Sequence, residues 1–245
     1  LLLGSLLFNY WAASVISALP RYKKIVLVTA VISNVLVLFY YKLIIAGISG
    51  ADAQGAAFST TRNVLIPLGI SFITFQQIAF LVDTYKGKLA DTSPLEYATF
   101  ITFFPQLIMG PIMHNREIQP QLRAANLFKW CSDNFAVGLS ILIIGLFKKV
   151  VLADSFSPFV NQVHEFALAG HQISPADAWG AAIGFQFQLY FDFAGYADMA
   201  VGLARMFNIN IPLNFDAPYR ALDRFDHWRR WHISFGAFMR QYVFF

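Results

Sequence analysis

One stretch decides the fold: IVLVTAVISNVLVLFYYKLIIA, residues 25–46. A helix needs about 20 predominantly apolar residues to cross the hydrocarbon core of a bilayer, and this stretch supplies them with a single charged residue, Lys42. The whole chain has the same character, because only 13% of its residues are charged, against about 25% in an ordinary soluble domain. We therefore expect an all-α, polytopic membrane protein.

Other apolar segments extend this pattern along the chain. Further spans are predicted near 1–19, 64–83, 135–153 and 176–207. The apolar stretch 95–113 is interrupted by Pro105, Gly110 and Pro111. Such interruptions survive at membrane depth only where protein shields them or where they line a cavity. We expect broken or re-entrant elements at 95–113 and 223–245, all within one partial membrane domain, 1–245.

The basic residues predict an orientation. Cytoplasmic connectors are rich in Lys and Arg, which places 21–24, 84–94, 114–134 and 205–230 inside and the loops 47–63 and 155–175 outside. Lys148 and Lys149 interrupt a predicted span, so their side chains must reach the interface or face the protein interior. The net charge of +4 fits such connectors, and we expect no nucleic-acid partner.

Several chemistries are excluded by residues that the sequence lacks. Cys131 is the single cysteine, so there is no intrachain disulfide and no cysteine-rich metal site. There is no G-x-S-x-G and no H-E-x-x-H motif, and His227 and His232 have the wrong spacing for two ligands on one helical face. We expect no metal site, and we expect His114, His164 and His171 to be solvated loop residues.

The predicted helix 176–207 carries polar side chains on one face. Gln188, Asp192 and Tyr196 recur every four residues, which aligns them along a helix. Polar groups within the bilayer are costly and point to function. The stripe indicates either the lining of a polar cavity or hydrogen bonds between helices.

Two other features of this helix predict contacts. Asp198 and Arg205 are seven residues apart on another face, where they are able to pair. Gly180 and Gly184 form a small-xxx-small pattern that permits close helix packing.

The segment FDHWRRWHIS, residues 225–234, is polar and aromatic in an otherwise apolar chain. A continuous helix from Asp223 would place Trp228, Trp231 and His232 on one face and Arg229 on another, and would pair Asp226 with Arg230. One interpretation is an amphipathic helix at the membrane interface. The other is a helix lining a pocket, where His232 carries a proton or donates a hydrogen bond and Arg229 or Arg230 binds an anionic ligand.

Six motifs, in order, resemble the membrane-bound O-acyltransferase family, and in particular its bacterial branch of alginate O-acetyltransferases and teichoic-acid D-alanyltransferases. They are PLGISFITFQQIAFLVDTYKG (67–87), FFPQLIMGPIMHNREIQPQL (103–122), GLFKKVVLAD (145–154), YFDFAGYADMAVGLARMF (190–207), IPLNFDAPY (211–219) and FDHWRRWHISFGAFMRQYV (225–243). The resemblance covers the chain from about residue 60 to its end. Ala194 and Ala197 stand where that family often has serines.

The resemblance implies both a fold and a reaction. The fold is a ring of tilted helices around a central funnel, and the reaction moves an acyl group, acetyl in the first instance, from a thioester donor to a hydroxyl. The donor, acetyl-CoA or an acyl carrier, is a substrate, and no bound cofactor is implied. His232 in WRRWHIS corresponds to one of two functional histidines and is the supporting one. The principal histidine lies in a Trp-His-Gly context that none of the five histidines has, so we expect this chain to be a fragment, incomplete at the C-terminus.

The resemblance also implies surroundings. The protein is expected to cross the inner membrane of a bacterium several times and to contact membrane lipid. The donor is expected to enter from the cytoplasm and the acceptor to be an extracytoplasmic polymer. A periplasmic or extracellular partner acyltransferase is also expected. Channel-lining residues are expected at the polar stripe, at Asp198 and at the tryptophans and arginines of 228–231. A membrane transporter and a non-catalytic membrane scaffold stay open as alternatives, because buried acidic residues and broken helices also suit solute sites.

Overall fold

The computed structural model describes residues 2–51, 69–89, 91–107, 109–125, 127 and 129–244, with the backbone alone for 44–51. Within these residues all regular secondary structure is helical and no strand occurs, which confirms the all-α class. The helices divide into two compact units. The first unit comprises Leu1–Ile108, Ile112–Pro120 and Gln241–Phe245, and the second comprises Met109–Pro111 and Gln121–Arg240.

Two helices of the described residues are long and apolar enough to cross a membrane. They are Lys23–Leu43 and the continuous Ser132–Leu168, and a shorter apolar helix covers Leu2–Ala18. The predicted span 176–207 is a long helix, Pro175–Met206, whose glutamines and aspartates keep it out of this apolar group. In the predicted span 64–83, residues 64–68 lie outside the described residues, and a helix begins at Ile70.

The first unit is built on three packed helices: α1 (Leu2–Ala18), α2 (Lys23–Ala51) and α3 (Ile70–Tyr85). α1 ends two residues before Pro20, because the residue preceding a proline is driven out of the helical region.

Buried amides hold these three helices together. Asn9 of α1 and Asn34 of α2 exchange side-chain hydrogen bonds of 3.1 and 2.7 Å. The Ser5 hydroxyl donates to Gln77 Oε1 of α3 at 2.8 Å. Buried polar groups are tolerated when they pair in this way, so the pairs fix the register of α1 against both neighbours.

Short helices complete the first unit. α4 (Pro94–Thr102) begins with a capping box between Ser93 and Glu96, which satisfies two backbone donors at the helix start. Residues 103–107 and 109–114, within the predicted break, then have no regular secondary structure. α5 (Asn115–Leu122) follows, and its last two residues belong to the second unit.

The second unit is built on a long rod and one helix beside it. α6 (Ser132–Phe147), a π-helical segment (Lys148–Ala153) and α7 (Asp154–Leu168) run on without interruption. The loop predicted for 155–175 is therefore wrong over most of its length, because α7 continues to Leu168 and only 169–174 form a connector. α8 (Pro175–Met206) packs along the whole rod.

Glycines set the closest approach of α6 and α8. A Cβ at Gly138 would lie 2.6 Å from Gly202 O, and a Cβ at Gly145 would lie 2.6 Å from Gly195 O. Because the numbers rise on one helix as they fall on the other, the two helices are antiparallel. The predicted contact through Gly180 and Gly184 exists, but it faces side chains of α7, with 3.3 and 3.1 Å to the nearest atoms.

After α8 the chain turns back in short pieces. A 3₁₀ turn (Pro218–Arg220), α9 (Arg224–Arg230), α10 (Ile233–Phe238) and a π-helical turn (Met239–Val243) follow. The continuous helix expected from Asp223 is wrong, because α9 ends at Arg230 and α10 begins only at Ile233.

Candidate functional site

The break between α9 and α10 is centred on His232. This residue has φ 45° and ψ 54°, the left-handed conformation, which is uncommon for any residue other than glycine and often marks function. Two backbone hydrogen bonds hold the break in place: Ile233 N donates to Asn214 O at 2.9 Å, and Asp216 N donates to Arg230 O at 3.0 Å. The segment before α9 is thus hydrogen-bonded both to the last residue of α9 and to the first residue of α10.

Asn214 determines which ring nitrogen of His232 carries the proton. Its Oδ1 accepts from Ser234 N at 3.3 Å and from Ser234 Oγ at 2.9 Å, and it lies 2.9 Å from His232 Nδ1. A backbone N–H only donates, which identifies Oδ1 as the acceptor, so Nδ1 must carry a hydrogen. In the neutral ring the lone pair is then on Nε2. Asn214 itself is 2% exposed.

Aromatic rings surround the imidazole. Its centroid lies 4.8 Å from Phe193, 5.1 Å from Phe235 and 6.3 Å from Phe215. Burial among these rings lowers the pKa of His232 to about 4, because an apolar environment disfavours the charged form. His232 is therefore neutral at physiological pH, with one nitrogen held by Asn214 and the other able to accept a hydrogen bond.

The two tryptophans near the break lie in different environments. Trp231 lies among Phe215, Tyr190 and His227, with centroid distances of 5.2, 5.9 and 5.8 Å. Trp228 is 67% exposed, and its ring neighbour is His227 at 5.6 Å. The expectation that Trp228 shares a face with His232 is wrong, since that face required an unbroken helix.

Arg229 and Arg230 also lie in different environments. Arg230 donates to Asp226 Oδ2 at 2.9 Å and lies 3.3 Å from Asp216 Oδ2. The predicted pair of Asp226 with Arg230 is thereby confirmed, and the Arg230 guanidinium is occupied by these two carboxylates. Arg229 is exposed and has no ion pair with a described carboxylate, so it is the better of the two for an anionic ligand.

Asp192 and Asp198 of α8 are paired with the lysines of the π-helical segment. Lys149 Nζ lies 2.8 Å from Asp192 Oδ1, and Lys148 Nζ lies 2.5 Å from Asp198 Oδ2. The two lysines that interrupt the predicted span therefore face the protein. The expected pair of Asp198 with Arg205 is wrong, because Arg205 bonds to Asn210.

The rest of the polar stripe lies along the same helix. Gln188 lines a cavity of about 530 Å³ between α7 and α8, and its Oε1 has no hydrogen-bond partner among the described residues. Tyr196 is half-buried. Within the described part of the chain no member of the stripe hydrogen-bonds to His232; the contact from α8 to this ring is made by Phe193.

Asn214 is the site residue that the sequence analysis missed. It lies inside the motif IPLNFDAPY, but a neutral amide carries no charge or nucleophile to single it out. A usable signal was its place in a proline-flanked segment just upstream of the histidine motif. The polar groups of such a segment have no hydrogen bonds within a helix, so they must form them with neighbouring segments.

A second buried histidine lies in the first unit. His114 is 3% exposed, so the expectation of a solvated loop residue is wrong. Tyr242 Oη donates to Asp83 Oδ2 at 2.8 Å and lies 3.1 Å from His114 Nδ1. The hydroxyl has a single proton, which goes to the carboxylate, so His114 Nδ1–H donates to Oη. His164 is on α7 and His171 follows it; both are exposed, as expected.

Charges surround this second cluster. Burial lowers the pKa of His114, Glu117 and Asp83 raise it, and Arg116 lowers it. Burial also raises the pKa of Tyr242, and the hydrogen bond to Asp83 adds to this. Arg116 Nη2 donates to Gln241 Oε1 at 2.9 Å. Among the described residues, no three His, Cys, Asp or Glu side chains form a group that could hold a metal ion.

Comparisons with known proteins identify the family of this chain. The sequence profile of the membrane-bound O-acyltransferase family, MBOAT, matches residues 22–245. The peptidoglycan O-acetyltransferase of Helicobacter pylori is 38% identical, over 100% of this chain and 51% of its own length.

Two further relatives come from the branch that the motifs predicted. The probable alginate O-acetylase AlgI of Azotobacter vinelandii is 35% identical, over 97% of this chain and 48% of its own length. The teichoic acid D-alanyltransferase of Bacillus subtilis is 28% identical, over 97% of this chain and 60% of its own length. The chain thus spans about half the length of the first of these relatives. It belongs to the membrane-bound O-acyltransferase family.

Proposed function

We propose that the whole protein is a membrane O-acyltransferase. It moves an acyl group, acetyl in the first instance, from a thioester donor to hydroxyls of an extracytoplasmic polysaccharide or cell-wall polymer. The support is family membership together with relatives whose names specify acyl transfer to peptidoglycan, alginate and teichoic acid. The observation that carries the proposal is the hydrogen bond of 2.9 Å between His232 Nδ1 and Asn214 Oδ1, within the motif that resembles the family's histidine motif.

His232 acts as a supporting residue. Its Nε2 accepts a hydrogen bond from the reacting hydroxyl and aligns the oxygen with the thioester carbonyl, since orientation alone lowers a barrier substantially. A base works best with a pKa near the operating pH, and the pKa of His232 is about 4. The proton is therefore taken by a second histidine, which the family resemblance implies. The sequence analysis left open that His232 donates a hydrogen bond to a ligand; with its hydrogen on Nδ1 held by Asn214, Nε2 of the neutral ring is instead an acceptor.

The reaction balances without a cofactor. The hydroxyl oxygen attacks the carbonyl carbon of the thioester as the second histidine removes the proton. The carbon–sulfur bond then breaks, and the proton passes to the departing thiolate. Arg229 meets the phosphates of a donor such as acetyl-CoA or the pantetheine arm of an acyl carrier, because its guanidinium is exposed and has no ion pair with a described carboxylate.

The setting follows from the same family. We propose a ring of tilted helices around a central funnel that crosses a bacterial inner membrane several times. The donor enters from the cytoplasm, and an extracytoplasmic partner completes the transfer. The two apolar helices and the asymmetry of basic residues support it. The transporter alternative is weakened, because Asp192 and Asp198 on α8 are already paired with lysines.

The test uses the full-length protein in its own cells. A strain lacking the gene is complemented with the wild type, with His232→Ala, or with His164→Ala as the matched control on an exposed histidine. We expect wild-type acyl content of the surface polymer for the control and a loss of at least about 100-fold for His232→Ala at equal protein level in the membrane. Normal acylation in His232→Ala would contradict the role of His232. A gene deletion that abolishes uptake of a solute but leaves acylation unchanged would favour the transporter.

A further inference from the structure

Three helix ends of the first unit meet around a second cavity. α1 ends at Ala18, α2 begins at Lys23 and α3 ends at Tyr85. Lys23 Nζ lies 4.9 Å from the centroid of the Tyr85 ring, which brings the start of α2 against the end of α3. The cavity between them has a volume of about 530 Å³ and is called the Lys23 pocket below. Sites for small molecules are typically about 300–1,000 Å³.

The Lys23 pocket is lined by hydrogen-bonding groups of two kinds. Lys23 and Ser17 supply donors. Ser14 Oγ already donates to Tyr10 O at 3.0 Å, and Thr84 Oγ1 donates to Phe80 O at 2.8 Å, so both oxygens are left as acceptors. A fitting ligand therefore carries both a negative group and hydroxyls.

Positive charge collects around this end of the unit. Five basic side chains lie in the two connectors that border the pocket or in the first two residues of α2: Arg21, Lys23, Lys24, Lys86 and Lys88. All five are exposed, and in the part of the chain that the structure describes none forms an ion pair with a carboxylate. Uncompensated charge of this kind attracts an anion.

The pocket lies at the level where a lipid headgroup is found. Lys23 is the first residue of the apolar helix Lys23–Leu43, so the pocket borders the hydrocarbon boundary of a membrane that this helix crosses. Tyr22 beside it is 51% exposed, and tyrosine is enriched at that boundary. The basic connectors are predicted to be cytoplasmic, and basic pockets between helices on that side bind anionic headgroups.

We propose that the Lys23 pocket binds the headgroup of an anionic phospholipid that carries hydroxyls, such as phosphatidylglycerol. The phosphodiester meets Lys23 and the basic connectors. The glycerol hydroxyls donate to Ser14 and Thr84, which a bare phosphate monoester would leave unused. The site does not depend on acyl transfer, and its test does not use that reaction.

The first test compares soluble probes on the full-length protein in a zwitterionic detergent. Dioctanoyl phosphatidylglycerol, dioctanoyl phosphatidic acid, acetyl-CoA and inorganic phosphate are titrated by calorimetry. We expect saturable binding of phosphatidylglycerol at one site per chain, weaker binding of phosphatidic acid and no competition from acetyl-CoA or phosphate. Absence of saturable binding, equal or tighter binding of phosphatidic acid, or displacement by acetyl-CoA would each overturn the proposal.

The second test locates the site with matched variants. Lys23→Gln removes one charge at the pocket, and Lys42→Gln removes one charge from an exposed position near the other end of the same apolar helix. We expect Lys23→Gln to weaken phosphatidylglycerol binding about fivefold and Lys42→Gln to leave it unchanged.

A third variant separates hydroxyl recognition from charge. The double change Ser14→Ala with Thr84→Val should remove the preference for phosphatidylglycerol over phosphatidic acid while total binding of anionic lipid persists. An equal loss of phosphatidylglycerol binding in Lys23→Gln and Lys42→Gln would mean that the lipid is attracted diffusely and that no site exists. A preserved preference for phosphatidylglycerol in the double variant would contradict the assigned hydroxyl contacts.

Discussion

His232 and His114 are both shielded histidines, and they differ in what their hydrogen bonds lead to. His232 Nδ1 donates to Asn214, a neutral amide, and aromatic rings cover the imidazole. His114 Nδ1 donates to Tyr242, which in turn donates to the carboxylate of Asp83. The first ring is oriented without being charged, while the second is one link in a chain that ends on a negative group.

This difference is the basis on which we propose a reactive role for His232 and a structural role for His114. A neutral imidazole with a fixed tautomer presents one lone pair in a known direction, which is what substrate alignment requires. A histidine tied through a tyrosine to a buried aspartate satisfies that carboxylate indirectly and has less freedom to exchange partners. The following predictions test whether the two histidines divide the roles in this way.

The largest effect is expected at Asn214. Asn214→Leu removes the acceptor of three hydrogen bonds, so His232 loses its fixed tautomer and acyl transfer should fall about 100-fold or more. Asn161→Leu is the control, because Asn161 is exposed on α7 and its change should leave transfer intact. The acyl content of the surface polymer, normalised to protein in the membrane, measures both. Wild-type acylation in Asn214→Leu would break the link between tautomer and activity.

The next effect is on stability and belongs to the other histidine. Tyr242→Phe deprives the Asp83 carboxylate, which is 2% exposed, of its hydroxyl donor, and an unsatisfied buried acceptor costs about 1–3 kcal/mol. Tyr22→Phe is the control, since Tyr22 is 51% exposed. Thermal unfolding of the full-length protein in detergent gives the comparison. Acyl transfer per folded molecule should fall far less than in Asn214→Leu, and the reverse order would exchange the two roles.

The third effect is a dependence of stability on pH. The pKa of His232 is about 4 in the folded chain and about 6.5 in an unfolded one. Between these values the unfolded chain binds more protons, so stability rises with pH up to about 6.5 and is constant above it. The lowered pKa of His114 acts in the same direction.

The size of that dependence follows from the shift. For a half-buried ring that water still screens, we expect a loss of about 1–2 kcal/mol on acidification from about pH 7 to about pH 5. Unfolding midpoints at the two pH values measure it, and His232→Gln should reduce it while His164→Gln should not. A stability that increases on acidification would contradict the direction of both pKa shifts.

The smallest effects are expected at the two adjacent arginines, Arg229 and Arg230. Arg230→Gln breaks half-exposed pairs with Asp216 and Asp226 and should cost about 0.5–1 kcal/mol of stability. Arg229→Gln should leave the unfolding midpoint unchanged and raise the KM for the acyl donor, because Arg229 is exposed and has no ion pair with a described carboxylate. Equal effects of both changes on KM would remove the distinction between the two residues.

Sequence reasoning succeeded where one chain segment decides the outcome. Apolar length identified α2, and the i,i+4 spacing identified the pair of Asp226 and Arg230. It failed where distant segments meet. Lys148 pairs with Asp198, which lies 50 residues away on α8, and His114 is contacted by Tyr242 from the far end of the chain.

The break at His232 escaped the sequence analysis for a different reason. Helical periodicity runs through the segment without interruption, and no glycine or proline marks the turn. The left-handed residue is stabilised by Asn214, Asp216 and their backbone bonds from an earlier segment. Local propensity was overridden by tertiary contacts, which a single helical projection cannot represent.

The central claim is that His232 is neutral, with its hydrogen on Nδ1 and a free lone pair on Nε2. Magic-angle-spinning NMR of the full-length protein with ¹⁵N-histidine in lipid measures this directly, with His232→Gln used to assign the signal. At neutral pH we predict a protonated Nδ1 and an unprotonated Nε2 for His232, and loss of that pattern in Asn214→Leu. A doubly protonated ring, or a hydrogen on Nε2 with Nδ1 bare, would contradict the account.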